Sequence, residues 1–207
     1  MAAPLKQGAV TNNYSNFVLG LAVDASAARH WKGYDHPGYE EITNALFEGG
    51  DGRVDLGGVA GVLFEIGGCG MSDVFRLGGD DVVLLEHYSD DWNPDIERQF
   101  LAIVGQALGE EAERVGVVEV TSGVLALLHA GDNAEEISEV RVGPGESQEV
   151  EGGVLLGVPN GSYEIWKETL EPKADGEPSS RAFAWCTRRR WRARGSPLNE
   201  LSSIKHV

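Results

Sequence analysis

The segment of this chain that comes nearest to a chemical motif is a glycine-rich turn around Cys69. Gly68-Cys69-Gly70-Met71-Ser72-Asp73 follows an apolar run that predicts a strand. A dinucleotide-binding turn needs a third glycine at its end and a helix directly afterwards. Here Asp73 takes the place of the third glycine, and residues 74–77 are typical of another strand. We therefore interpret this segment as a turn between strands and predict no nucleotide or other cofactor.

Residue types that support catalysis or metal binding occur elsewhere, but their spacing does not suit either task. His30, Asp35 and His36 match no zinc pattern, and the chain has no Cys-x-x-Cys or His-Glu-x-x-His sequence. Ser72 lacks the glycine-flanked elbow of a serine nucleophile, and Cys69 has no neighbour that would activate a thiol. Adjacent carboxylates are expected in a chain this acidic and indicate a solvated face. We predict no metal site and no catalytic residue, and expect that the protein is not an enzyme.

Net charge is the most informative bulk property of the chain. The formal charge is −16, and residues 181–207 hold seven Lys or Arg against one acid, so residues 1–180 carry −22. Such a body repels nucleic acid and anionic lipid and steers basic proteins toward encounter, although solubility alone is the other explanation. The basic run 188–194 is typical of phosphate binding, yet the acidic body opposes a polyanion. We expect this run to pair with the acidic body, either within the chain or between subunits, and we predict a basic protein partner and no nucleic acid.

Loops that hold acids beside an aromatic residue are the candidates for contact with that partner. Tyrosine and tryptophan are enriched at the centres of protein interfaces, while charges guide the approach. Two segments meet this description, and a third segment, without an aromatic residue, is included for its cluster of acids. The candidate partner-binding residues are Tyr34, Asp35, Asp90, Asp91, Trp92, Asp132, Glu135 and Glu136.

Periodicity predicts two helices. Tyr39, Ile42, Thr43 and Leu46 recur at helical spacing and indicate an amphipathic helix that ends near residues 49–50. A second helix is predicted from residue 94, where Pro94 follows a capping asparagine, to a glycine at position 109.

Apolar runs separated by glycine-rich breaks predict antiparallel strands. The Asn-Gly pair at positions 160 and 161 predicts a hairpin between strands 154–158 and 162–167. The fold class is therefore α+β, with mostly antiparallel sheet and two or so helices packed on one side. The other predicted strands are 17–23, 59–66, 74–77, 82–87, 116–120, 124–129 and 181–187.

We expect one acidic α+β domain over residues 1–180, followed by a basic C-terminal strand and tail over 181–207. No apolar run approaches the roughly 20 residues that cross a bilayer, so no membrane partner is expected. Residues 1–7 lack the features of a secretory signal, and two distant cysteines, Cys69 and Cys186, fit a reducing compartment. The expected location is the cytoplasm.

A resemblance to a known family rests on two short motifs. Trp31-Lys32-Gly33 matches a Trp-x-Gly motif, and Tyr39 begins a Tyr-x-x-x-Cys motif in which Thr43 replaces the cysteine. With these motifs, and with the order of strands and turns over residues 14–170, the chain resembles the Immunity protein 21 family of bacterial polymorphic-toxin systems. The basic segment after residue 181 is additional to the family pattern.

The resemblance implies an α+β protein that binds a cognate toxin and blocks its activity. An acidic inhibitor suits a toxin with a basic active site, such as a nuclease or a nucleic-acid deaminase. Trp31, Gly33, Tyr39 and Thr43 are expected to be structural, since Tyr39 and Thr43 share a helix face with apolar residues. The alternative function is an acidic protein-binding or scaffolding domain without a toxin partner, and a third is an enzyme whose site combines distant residues.

Overall fold

The computed structural model of this chain describes residues 5–11, 18–66, 71–77, 81–87, 94–104, 112–135, 137, 141–170 and 182–189. The described residues form twelve strands, three α-helices and one 3-10 helix. The strands are β1 Leu5–Thr11, β2 Val18–Asp24, β3 Arg53–Asp55, β4 Ala60–Ile66, β5 Met71–Arg76, β6 Val82–His87, β7 Glu113–Val120, β8 Val124–His129, β9 Ser147–Val150, β10 Gly153–Gly157, β11 Gly161–Leu170 and β12 Ala182–Arg189. The helices are α1 Ala25–Ala28, α2 Tyr39–Phe47 and α3 Pro94–Val104, and the 3-10 helix is Gly33–Asp35.

The strands make two six-stranded sheets. Sheet A has the order β1-β5-β6-β12-β11-β7, and sheet B has the order β3-β4-β2-β8-β10-β9. Every pairing between these strands is antiparallel. The predicted α+β class with mostly antiparallel sheet is therefore confirmed.

Sheet B separates two hydrophobic cores. Successive side chains of a strand point to opposite faces of its sheet. In β8, Leu125 and Leu127 join a core shared with sheet A, whereas Ala126 and Leu128 join a second core on the other face. All six residues of β8 are buried. This strand is therefore covered on both faces, and its packing fixes the start of the loop that follows it.

The second core is covered by α1, by the segment around Trp31 and by α2. Helix α2 follows Gly38, which has a φ of 78°, and ends before Gly49, which has a φ of 85°. Its residues Tyr39, Ile42 and Leu46 pack on this core, as their spacing predicts. Helix α3, by contrast, contacts β11 of sheet A. The helices are thus divided between the two sheets, where the sequence placed them on one side.

The predicted hairpin at Asn160-Gly161 is wrong. Strand β10 lies in sheet B between β8 and β9, whereas β11 lies in sheet A between β7 and β12. A two-residue type I′ turn needs left-handed conformations at both central residues, but the φ of Gly161 is 153°. Residues 158–160 instead carry the chain between the sheets, and the Tyr163 hydroxyl fixes this crossing by donating to the Pro159 carbonyl at 2.7 Å.

The predicted strands 59–66, 74–77 and 82–87, which glycine-rich breaks separate, do not all belong to one sheet. Strands β5 and β6 pair with each other, but β4 pairs with β2 and β3 in the other sheet. Strand β12, which the sequence assigned to a basic C-terminal segment, lies inside sheet A between β6 and β11. In its register Arg188 stands opposite Glu164. Residues 190–207 lie outside the described residues. No helix in the described ranges has the length and apolarity that a membrane crossing needs.

Candidate partner-binding surface

Trp31 is the anchor of the segment that connects α1 to α2. Its side chain is fully buried, and the indole Nε1–H donates to the Ala130 carbonyl at 2.7 Å. Its ring stacks on His36 with centroids 4.4 Å apart and contacts Tyr39 at 5.9 Å. A buried indole with a satisfied N–H fixes the segment against the end of β8.

The other motif residues also have structural surroundings. Gly33 has a φ of 59°, and a side chain there would collide with the backbone of Gly131. Thr43 is buried in α2, where its hydroxyl donates to the Glu40 carbonyl at 3.1 Å. Like Trp31, these residues contact other parts of the same chain, as a structural role requires.

Two of the three predicted contact segments lie against each other. The Tyr34 N–H donates to the Gly131 carbonyl at 3.3 Å, and the Ala134 N–H donates to the Trp31 carbonyl at 3.2 Å. The Tyr34 ring packs over the α-carbon of Gly131, where a methyl group would clash with it. Residues 31–35 and 130–135 therefore form one surface, which we call the Tyr34 surface and define by Tyr34, Asp35, Asp132 and Glu135.

Tyr34 is the aromatic residue of this surface. Its side chain is 55% exposed, which is high for a large apolar residue. An edge contact with Tyr39, with centroids 5.2 Å apart, holds the ring in place. Asp35, the last residue of the same 3-10 helix, is also exposed. The protein thus presents an oriented tyrosine ring beside a carboxylate.

Asp132 has a buried histidine beneath it. The Nδ1 atom of His129 lies 3.1 Å from the Asp132 carboxylate, while His129 itself is buried. This contact lacks the angle of a hydrogen bond, and that nitrogen has no hydrogen-bond partner in the described part of the chain. The Asp132 carboxylate is partly exposed and also lies over Gly152.

Glu135 pairs with a lysine on the neighbouring segment. Lys32 Nζ lies 3.1 Å from the Glu135 carboxylate, and Lys32 also forms an isolated bridge with Asn133. Both side chains of this ion pair are exposed, so it contributes little to stability.

A groove of about 610 Å³ lies beside Glu135, between the loop after β8 and the β9–β10 turn. Two further glutamates, Glu149 and Glu151, line it. The sequence analysis missed both of them. Three acids among residues 146–151 were the available signal, but no aromatic residue accompanies them.

The remaining candidate contact residues are Asp90, Asp91, Trp92 and Glu136. All four lie outside the described residues.

Titration of the groups near Tyr34 follows from their burial. Burial raises the pKa of the Tyr39 hydroxyl to about 12, and the neighbouring Tyr34 adds to the effect. Burial lowers the pKa of His36, against an opposing hydrogen bond with the His30 backbone. Tyr39 is therefore neutral and His36 uncharged at neutral pH.

Asp24 is an acid of a different kind, at the end of β2. Its fully buried carboxylate accepts hydrogen bonds from the Ser26 N–H at 2.9 Å and hydroxyl at 2.7 Å. It also accepts from the Thr121 N–H at 2.5 Å and hydroxyl at 3.0 Å, and from the Ser122 N–H at 2.9 Å. Burial alone would raise the pKa of Asp24, but these bonds outweigh it and lower the pKa to about 2. Asp24 therefore joins α1 to the β7–β8 turn as an anion at neutral pH.

The described residues contain no group of three or more His, Cys, Asp or Glu side chains arranged to hold a metal ion. Ser72 is buried within β5, and Cys69 lies outside the described residues.

Comparisons of this chain with models of protein families, with curated proteins and with solved structures gave no match. The resemblance to the Immunity protein 21 family therefore stays a prediction.

Proposed function

We propose that this chain is an immunity protein that binds a cognate bacterial toxin domain and neutralises it by covering its active surface. The toxin we expect is basic, either a nuclease or a nucleic-acid deaminase. The observation that carries the proposal is the Tyr34 surface, where an exposed, oriented tyrosine shares a surface with three carboxylates on an anionic body.

The chemistry of such a toxin explains why this surface suits it. An enzyme that acts on nucleic acid presents cationic side chains to the phosphate backbone. Carboxylates on an inhibitor meet the same cations, and complementary charge raises the association rate. Tyr34 supplies apolar contact area with little conformational freedom to lose, because its ring is already held against Tyr39 and Gly131.

The test is co-expression with the C-terminal domain encoded by the adjacent gene. We expect cells that produce both proteins to survive, cells that produce the domain alone to die, and the two proteins to co-purify. Equal killing with and without this chain, together with no co-purification, would contradict the proposal. Co-purification without protection would favour the alternative, an acidic scaffolding domain.

A matched pair of variants tests the surface itself. Tyr34→Ala combined with Asp132→Asn and Glu135→Gln should abolish protection, because it removes the aromatic centre and two of its acids. Glu40→Gln combined with Glu41→Gln removes two exposed acids from α2 and should protect like the natural chain. Equal protection by both variants would place the contact elsewhere on the molecule.

A further inference from the structure

Strand β9 is an edge of sheet B. Within the described residues it pairs with β10 and with no second strand. In an antiparallel ladder, alternate residues direct their backbone groups to opposite sides. The Gly157 N–H donates to the Glu146 carbonyl, so residues 146, 148 and 150 face β10. The N–H and carbonyl of Glu149 consequently point away from the sheet.

The acidic groove runs along this edge. Gln148, Glu149, Val150 and Glu151 all line it, although successive side chains belong to opposite faces of the strand. The groove therefore follows the length of the strand, and the Glu149 side chain also lies against Gly8 of β1. Ile137 and Val150, which both pack on the second core, give the groove an apolar wall.

The charge of the groove has one sign. Glu135, Glu149 and Glu151 line it, and no Lys or Arg is among its described lining residues. Glu135 is paired with Lys32, which is not a lining residue of the groove. An occupant with Lys or Arg side chains would meet these three carboxylates, whereas a polyanion would be repelled.

We propose that this groove binds an extended basic segment of the partner protein, which adds a strand to β9. Backbone bonds would form at Glu149, and alternate Lys or Arg side chains would reach the glutamates. This inference rests on the proposed function, since it specifies which part of a basic toxin docks and how. A second copy of this chain is a poor occupant because pairing of two β9 edges would bring like charges together.

The groove can be tested without the toxin. The probe is a labelled peptide of alternating lysine and valine, about nine residues long to exceed a typical strand. Fluorescence anisotropy with the full chain at low salt should show saturable binding, and a peptide of alternating glutamate and valine should not bind.

Two further peptides test the backbone pairing, because they carry N-methyl groups on the backbone nitrogens of either all lysines or all valines. At least one of them should bind about tenfold more weakly, because it has lost its bonds to the edge. Equal affinity of all three basic peptides would overturn strand addition and leave only charge attraction.

Two variants of one residue separate backbone from charge. Glu149→Pro removes the outward N–H and is compatible with an edge strand, whereas Glu149→Gln keeps the N–H and removes only the charge. We expect Glu149→Pro to abolish peptide binding and Glu149→Gln to weaken it and flatten its salt dependence. Circular dichroism checks the fold of both, and the N-methylated peptides decide the question if Glu149→Pro does not fold. Toxin protection without any peptide binding would refute this inference alone, while peptide binding without protection would refute the proposed function alone.

Discussion

Asp24 and Asp132 are both aspartates at the ends of sheet B strands, but their surroundings differ. Asp24 is fully buried, and its carboxylate accepts bonds from Ser26, Thr121 and Ser122. Asp132 is partly exposed, and its carboxylate lies 3.1 Å from the Nδ1 atom of the buried His129 without a hydrogen bond to it. The first acid uses its hydrogen-bonding capacity inside the chain, whereas the second keeps most of it for solvent or a partner. Burial and internal bonding, and not residue type, therefore separate the acid that joins elements of the fold from the acid that the proposed function assigns to partner binding.

The largest expected effect is on the Asp24 side of the comparison. Asp24→Asn replaces an acceptor of five bonds by an amide with one acceptor oxygen and leaves several donors unpaired. Its free energy of unfolding should fall by about 3 kcal/mol. Urea denaturation measures this change, and Asp132→Asn is the control, with an expected loss below about 0.5 kcal/mol. Equal losses for the two variants would remove the distinction.

The pH dependence of stability should identify the same acid. The pKa of Asp24 is about 2 in the folded chain, against 3.8 for an aspartate side chain free of such contacts. Its stabilisation is therefore complete above pH 3.8 and is lost as the pH falls toward 2. From the linkage relation, the natural chain should lose roughly 2 kcal/mol more than Asp24→Asn between pH 5 and pH 2. Parallel curves of unfolding free energy against pH for the two proteins would contradict this assignment.

Two tyrosines extend the comparison to a second residue type. Tyr163 is buried with its hydroxyl bound to Pro159, whereas Tyr34 is exposed. Tyr163→Phe should reduce the free energy of unfolding by about 1 kcal/mol, because it leaves the Pro159 carbonyl without that donor. Thermal melting measures the loss, with Tyr34→Phe as the control that should melt like the natural chain. A Tyr163→Phe variant of unchanged stability would show that the crossing between sheets does not depend on this bond.

The smallest effect on stability is expected at the Tyr34 surface. The combined variant Tyr34→Ala, Asp132→Asn and Glu135→Gln should change the free energy of unfolding by less than about 1 kcal/mol, since its side chains are largely exposed. Its association rate with a basic partner should nevertheless fall, and that rate should depend less on salt. Stopped-flow measurements at two ionic strengths test both expectations. A large loss of stability with unchanged kinetics would make these residues structural.

The sequence predicted elements better than their arrangement. The spacing of Tyr39, Ile42 and Leu46 gave α2 because it reports which side of a helix meets a core. Continuous apolar runs such as residues 124–129 predicted strands because a strand that is covered on both faces is apolar throughout. The sheet to which a strand belongs depends instead on contacts between distant residues. Asn160-Gly161 therefore predicted a hairpin where the chain crosses between sheets.

Weakly patterned strands were missed altogether. Strand β1 contains Gly8 and several polar residues, and β3 and β9 are short. All three are edge strands of their sheets. An edge strand needs less apolar surface than a central one, so composition gives little sign of it.

The sequence predicted the residues of the Tyr34 surface, but it did not predict that its two segments lie against each other. The acids beside Tyr34 and those near residue 132 were identified separately, from composition. Their junction depends on Gly131, whose missing side chain lets the Tyr34 ring approach. Glu149 joins the groove through the β9–β10 turn, which no local signal near residue 135 could indicate.

The position of β12 has a consequence for how this molecule is made. A ribosome releases residues 182–189 after all the other described strands, yet they fill the middle of sheet A. Until then β6 and β11 each lack one neighbour, and their open backbones invite pairing with other nascent chains. Sheet A is therefore completed when β12 inserts between two strands that are already synthesised. A chain cut short before residue 182 would keep two strand edges open to pairing with other chains.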